Sequence, residues 1–207
     1  MSLPCVIGIC GAAGAGKDTV AAYLTEWHRY KRYALADPMK ALLNSRFGWT
    51  PADWENREWK EKRDSWHGRL QNQGDDNGIR FSPRSWAQWL GTEVGRKTFG
   101  ENTWVRLFAE HRDNVLANAR AAGFSNLSVR FVVPDIRFDN EAEYIHSLRG
   151  RIIRVLRPGV DPVNPHPSER GISDRWVSME ILNNSTLTHL EAEVENVLEH
   201  FATDRRF

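Results

Sequence analysis

The stretch that most constrains the fold is Cys5-Val6-Ile7-Gly8-Ile9-Cys10, followed at once by Gly11-Ala12-Ala13-Gly14-Ala15-Gly16-Lys17. The first six residues form a short apolar, partly β-branched run without alternation, which predicts a strand buried on both faces. The turn fits G-x-x-x-x-G-K, in which successive backbone N–H groups and a helix N-terminus surround phosphate oxygens while the lysine neutralises charge. Glycines are needed there because a side chain would block the approach. The three fixed positions alone would arise by accident in about one chain in twenty of this length, so context has to carry the match. It does, because the turn leaves a buried strand and opens a helix with Val20, Leu24 and Trp27 on one stripe.

Lys17 is followed by Asp18 and Thr19 rather than by the hydroxyl residue that usually holds Mg2+. Asp18 could coordinate the ion, Thr19 could do so after a small shift, or Asp18 could simply complement the helix dipole. The residues leave these open.

With 207 residues, 41% hydrophobic and 27% charged, the chain suits one domain able to bury roughly 70% of its unfolded surface. Twenty-eight Lys and Arg against 27 Asp and Glu leave a net charge of +1, which provides no global field for nucleic acid or an anionic membrane. Any bound anion must meet a local site. No apolar run reaches the roughly 18 to 20 residues that span a bilayer, and no basic residue precedes the opening apolar run as in a signal peptide, so a soluble cytoplasmic protein is expected. Cys5 and Cys10 read as buried free thiols, and the seven histidines show no H-x-x-x-H spacing.

Strand and helix patterns alternate. Tyr33 to Leu35 is a strand candidate, and a helix follows with Met39, Leu42 and Leu43 at helical spacing. From Trp49 to Arg80 the periodicity fails, and the segment reads as an insertion; seven of the nine tryptophans lie between Trp49 and Trp104. Ser82-Pro83 starts a helix whose Trp86, Trp89, Leu90 and Val94 are expected to face one way, and another helix runs from about Thr103 to Ala121. Strands are expected over 129 to 135, ended by Pro134, over 151 to 156 and near 179 to 182. A helix lies between the first two, and a last one carries Leu187, Leu190, Val194, Val197, Leu198 and Phe201. The Pro- and Gly-rich stretch from 157 to 176 is a lid candidate. The expected architecture is α/β: a five-stranded parallel sheet with helices on both faces. It forms one domain over 1–207, with core 1–48 and 82–207, an insertion at about 49–81 and a lid at about 157–176.

Charged residues at strand and helix ends mark a site at the carboxyl edge of such a sheet. Asp37 follows the second expected strand with Lys40 one turn on, though a helix cap and a solvated lysine would explain them too. Arg84, with Gln88 one turn later, could clamp a monophosphate and read a base edge. Asp135 and Arg137 put a carboxylate and a guanidinium together beyond the middle strand, where a surface salt bridge is the plainer alternative.

Taken in order, GAAGAGKDT (11 to 19), ALADPMK (34 to 40), SPRSWAQWLGTEVGR (82 to 96), WVRLF (104 to 108), VPDIRFDNEA (133 to 142), RVLRPG (154 to 159) and HPSERGI (166 to 172) resemble the deoxynucleoside monophosphate kinases of bacteriophages. Lys-Asp-Thr is usual in that family's loop, and 49 to 80 matches least. The resemblance implies a P-loop NTPase fold and Mg2+-dependent transfer of the γ-phosphoryl group of ATP to a deoxynucleoside 5′-monophosphate. The loop from Gly11 to Gly16, with Lys17, would hold donor phosphates, and Asp18 or Thr19 the metal. Asp37, Lys40, Arg84, Gln88, Trp104 and Arg137 would serve the acceptor side, with Lys17, Asp37, Asp135 and Arg137 as the catalytic group. Arg137 would lie between the phosphates, Asp135 near the metal waters, and Arg157 and Arg170 on the lid over ATP. It further implies no stable nucleic-acid or membrane partner, a homodimer in some members, and residence in the cytoplasm of an infected cell.

Other readings are a kinase of another small acceptor such as dephospho-coenzyme A, a nucleotide-binding protein without transfer activity, and a nucleic-acid-binding ATPase using the Trp- and Arg-rich 49 to 69 region to stack on bases. Asp53, Glu55, Glu58, Glu61 and Asp64 weaken the last by mixing the field.

Overall fold

The computed structural model describes residues 3–62, 82–160 and 170–204. The chain divides into two compact units, Met1–Leu35 with Val105–Phe207, and Ala36–Trp104. In the first, strands β1 (Val6–Cys10), β2 (Tyr30–Arg32), β3 (Arg130–Val133), β4 (Arg151–Leu156) and β5 (Met179–Leu182) form one sheet in the order β2-β3-β1-β4-β5. Every pairing is parallel, and Gly8 in the central strand stands between Val133 and Ile152. All of β1 is buried, as its unalternating apolar run requires.

The two faces are covered differently. Ile7, Ile9, Val132, Ile153, Val155 and Ile181 pack with α1 (Lys17–His28) and α8 (Leu187–Thr203), through Val20, Ala21 and Leu24 on one and Leu190, Val194 and Phe201 on the other. On the opposite face Gly8 admits α7 (Asp139–Ser147) so closely that a Cβ would lie 3.0 Å from Ile136 and 3.5 Å from Ile145. Phe108, on α6 (Thr103–Ala121), meets Phe131 and Tyr144 edge to face.

Several expectations shift. The second strand is Tyr30–Arg32, not Tyr33 to Leu35. Tyr33 N–H still donates to Val132 O, but Leu35 N–H turns to the Asp135 carboxylate, and the chain leaves the ladder there. Trp27 is 65% exposed and lies beside Tyr23, because the helix stripe closes on the sheet at Leu24. Leu187, the first residue of α8, is 58% exposed, and Cys5 is half-buried whereas Cys10 is buried.

The second unit is built on aromatic rings. It contains α2 (Asp37–Phe47), a 3-10 turn at Pro51–Glu55, α3 (Arg57–Glu61) and α4 (Pro83–Trp89). Met39, Leu43 and Trp54 are its buried centre, with Phe47, Trp49, Trp59, Trp86 and Trp104 packed around them. Leu42 lies off that line and is 59% exposed. Trp49, Trp54 and Trp59 meet one another edge to face with centroids 5.0 to 5.7 Å apart, and Trp54 Nε1 donates to Asn44 Oδ1 at 2.7 Å. The described part of the expected insertion, 49 to 62, thus shares its core with α2 and α4, and 63 to 81 lies outside the described residues.

Ser82 caps α4, accepting from Ser85 N–H, with Pro83 in the first turn as expected. The helix then widens into a π-turn over Leu90–Arg96 before α5 (Lys97–Phe99). Trp104 explains the widening: its Nε1 donates to Gly91 O at 2.8 Å, and its ring fills the place of a Gly95 side chain, whose Cβ would lie only 2.3 Å away. The wider turn changes the phase of the helix, so Thr92 and Gly95 are buried and Val94 does not extend the expected stripe. Among the described residues no helix is long and apolar enough to cross a membrane.

Candidate functional site

The loop between β1 and α1 has a backbone only glycine permits at its two ends. Gly11 has φ +138° with Val155 O 2.3 Å from where its Cβ would be; Gly16 has φ +107° with Asn183 Nδ2 at 2.5 Å. Gly16 is also the N-cap of α1 and has no side chain to cap the helix, whose N-terminus is the kind that favours an anion. The loop's carbonyls are tied elsewhere. Lys17 Nζ donates to Gly11 O at 2.8 Å and Ala12 O at 2.7 Å, Arg157 Nη1 to Gly14 O at 3.3 Å, and Asn183 Nδ2 to Ala15 O at 2.9 Å. This geometry suits an anion: positive charge at Lys17 and Arg157 beside a glycine-rich backbone that opens a helix.

Asp18 and Thr19, in the first turn of α1, are both exposed, and Arg32 Nη2 lies 3.5 Å from Asp18 Oδ1. Asp135 sits just past β3, half-buried, its Oδ1 accepting from Leu35 N–H at 2.8 Å. Arg137 is half-buried two residues on, and its backbone N–H is held by Glu141 Oε2 at 2.8 Å, with Phe138 N–H at 3.1 Å on the same oxygen. Glu141, buried in α7, thus orients the Asp135 to Phe138 turn. Glu141 carries no role in the motifs above, although a glutamate in a helix's first turn is a known capping signal.

Residues 161–169 lie outside the described residues, including the expected lid histidine, His166. Arg170 is exposed. The chain just after it is pinned: Asp139 accepts from Ser173 N–H and Oγ at 2.8 and 2.6 Å, bonds that hold its carboxyl below the usual range. Arg154 bridges to Asp174 at 2.6 Å and Glu180 at 3.1 Å and donates to Ile172 O. Burial pushes the Cys10 thiol up, although Arg154 and Lys17 pull the other way.

In the second unit, Asp37 opens α2 and Lys40 Nζ lies 5.5 Å over the Trp54 ring, a cation–π contact that fixes it one turn on. Arg84 Nε donates to Glu61 Oε1 at 2.5 Å, and Gln88 follows one turn later, half-buried. Glu61 was legible only as part of an acidic stretch; its role in aiming Arg84 has no motif.

Comparison with known proteins bears on this arrangement. A protein of Acanthamoeba polyphaga mimivirus assigned as a deoxynucleotide monophosphate kinase is 27% identical over 94% of this chain and 96% of its own length. The deoxynucleoside-5′-monophosphate kinase of Escherichia phage T5 is 26% identical over 92% and 94%, and the deoxynucleotide monophosphate kinase of Enterobacteria phage T4 is 29% identical over 58% and 46%. The family model of deoxynucleotide monophosphate kinase matches residues 67–194. The five-stranded parallel sheet with helices on both faces is the P-loop kinase fold expected of such an enzyme. With the family model spanning more than half of its length, the chain belongs to the deoxynucleotide monophosphate kinase family.

Proposed function

We propose that this kinase transfers the γ-phosphoryl group of ATP to a deoxynucleoside 5′-monophosphate, with Mg2+, and that its two units divide the work. The observation that carries this is the loop: glycines at positive φ, tied-off carbonyls and an uncapped helix start, with Lys17 and Arg157 beside it. Gly11, Ala12, Ala13, Gly14, Ala15 and Gly16 hold donor phosphates through backbone N–H groups, and Lys17 exchanges its carbonyl partners for phosphate oxygens. Arg157 and Arg170 add positive charge on the same side.

Among the described residues no group of three His, Cys, Asp or Glu could hold a metal. The first turn of α1 instead offers one carboxylate and one hydroxyl, Asp18 and Thr19, which fits Mg2+, an ion that takes one or two protein ligands and fills its shell with phosphate oxygens and water. When bound, it neutralises charge on the donor phosphates. Asp135, whose carboxylate is fixed by Leu35 N–H, would hold water of that shell.

On the acceptor side, Arg84 clamps the monophosphate, aimed by Glu61, and Gln88 contacts the base. Lys40, Asp37 and Trp104 complete that side. An oxygen of the acceptor phosphate attacks the γ-phosphorus, and the bond to the β–γ bridging oxygen breaks, leaving ADP. Arg137, its backbone fixed by Glu141, meets charge that spreads over the transferred group. The step needs no protein nucleophile, because alignment and charge neutralisation carry it.

The test is ADP release with Mg2+ over dAMP, dGMP, dCMP, dTMP and their ribo forms. Turnover with at least one deoxynucleotide, lost on chelation of the metal, is expected. ATP binding without ADP release over the whole panel would contradict the proposal, and turnover with dephospho-coenzyme A alone would replace it.

A further inference from the structure

The connection after β5 supplies a group that no motif marks. Asn183 Nδ2 reaches across 168 residues of chain to donate to Ala15 O at 2.9 Å. Its own backbone N–H donates to Leu156 O at 2.7 Å, just past the Leu156–Leu182 pairing of β4 and β5, so the side chain is mounted on the sheet. We propose that Asn183 is a positioning residue for phosphoryl transfer, setting the Ala15–Gly16 peptide so that the Gly16 N–H is presented to the donor phosphates. This rests on the reading of the loop given above.

The physical problem is a peptide flip. In a trans peptide the carbonyl and the N–H point in opposite directions, and a peptide preceding glycine turns over cheaply because glycine accepts either sign of φ. A flipped Ala15–Gly16 unit would offer a phosphate an acceptor where it needs a donor. Tying Ala15 O to Asn183 selects one orientation. Gly11 O and Gly14 O are held too, but by Lys17 and Arg157, cations that turn to phosphate when the donor binds, and Ala12 O is shared between Lys17 and the N–H of Ala15. Asn183 is neutral and has no such competing attraction, so it keeps its grip while the donor is bound. Its proximity to Gly16, 2.5 Å from the position of a Cβ, leaves no room for a side chain there.

The test compares Asn183→Ala, Asn183→Asp and Asn183→Ser with the unaltered enzyme by calorimetric ATP affinity, separate KM values for ATP and monophosphate, and Tm. Loss of one neutral hydrogen bond predicts about five- to tenfold weaker ATP binding in Asn183→Ala. The acceptor KM and Tm should hold. Asn183→Asp, isosteric but without the donor and negatively charged, should be weaker still, and Asn183→Ser, which keeps a donor on a shorter arm, should fall between Ala and Asn. Unchanged ATP affinity in both Ala and Asp variants overturns the role, as does a parallel loss in acceptor KM and Tm, the mark of a merely structural residue. Lys17→Ala is measured alongside: if it binds ATP normally, the loop reading itself fails; if it loses ATP while the Asn183 variants do not, only the positioning role falls.

Discussion

Under the proposed function, the sheet unit and the aromatic unit solve binding in opposite ways. The first makes its site from main chain: the donor groups are N–H, the glycines at the loop's two ends could not be replaced without collision or strain, and aliphatic packing beneath holds the turn. The second makes its site from side chains, Lys40 lying on Trp54 and Arg84 aimed by Glu61, over a core of indole rings. A main-chain site tolerates little change in backbone conformation but much in side-chain identity at Ala12 and Ala13. A side-chain site has the reverse tolerance, and its precision depends on how firmly its aromatic platform is packed.

The largest test of this contrast is Trp54→Ala. Removing a buried indole that touches both Trp49 and Trp59 should cost about 3–5 kcal/mol of stability, read by urea unfolding. Where folded enzyme remains, the monophosphate KM should rise more than that of ATP; equal loss on both would erase the division of labour. Next is Gly11→Ala, which forces a Cβ against Val155 O at a φ that side chains avoid. ATP affinity should fall about a hundredfold or more, with acceptor binding retained in an equilibrium titration. Arg84→Lys keeps the charge but loses the fork, so the monophosphate KM should rise about tenfold while the ATP KM stays put.

The smallest expected effect lies on the sheet unit, away from the loop. Glu195 of α8 accepts from Tyr23 OH and bonds His28 Nε2, each at 2.7 Å, joining α1 to α8. Burial opposes ionisation of Glu195, but these two partners hold its carboxyl below the usual range, so its contribution is present above the ordinary carboxylate pKa of 4.5 and lost as pH falls. The bond to Glu195 pushes Tyr23 up to about 12, so that contribution is present below 10 and lost as pH rises toward 12. Tm should decline at both extremes, and Tyr23→Phe should abolish the alkaline limb and shrink the acid one, which His28 still supports.

The same contrast explains what could be read from the residues. β1 and the capped start of α4 are legible because a strand buried on both faces is an unbroken apolar run and Ser82-Pro83 is a local signal, while β4 and β5 show through their apolar majority although Arg151, Arg154 and Glu180 interrupt it. The loop is legible for a related reason: its chemistry is local in sequence. The end of β2 is not, since Asp135 captures Leu35 N–H from a hundred residues away. Nor is the π-turn, whose cause is Trp104 bonding back to Gly91. Glu61, Glu141 and Asn183 act only by holding other groups, and such partners are defined by the fold.

The central claim is that the two nucleotides engage different units. Backbone amide shifts of isotope-labelled enzyme, titrated separately with a non-hydrolysable ATP analogue and with the fastest-turning deoxynucleoside monophosphate, test it most directly. The analogue should move the amides of residues 11–19, and the monophosphate those within Ala36–Trp104. Unmoved amides from Gly11 to Lys17 at saturating analogue, or one shared set of shifts for both ligands, would contradict the account.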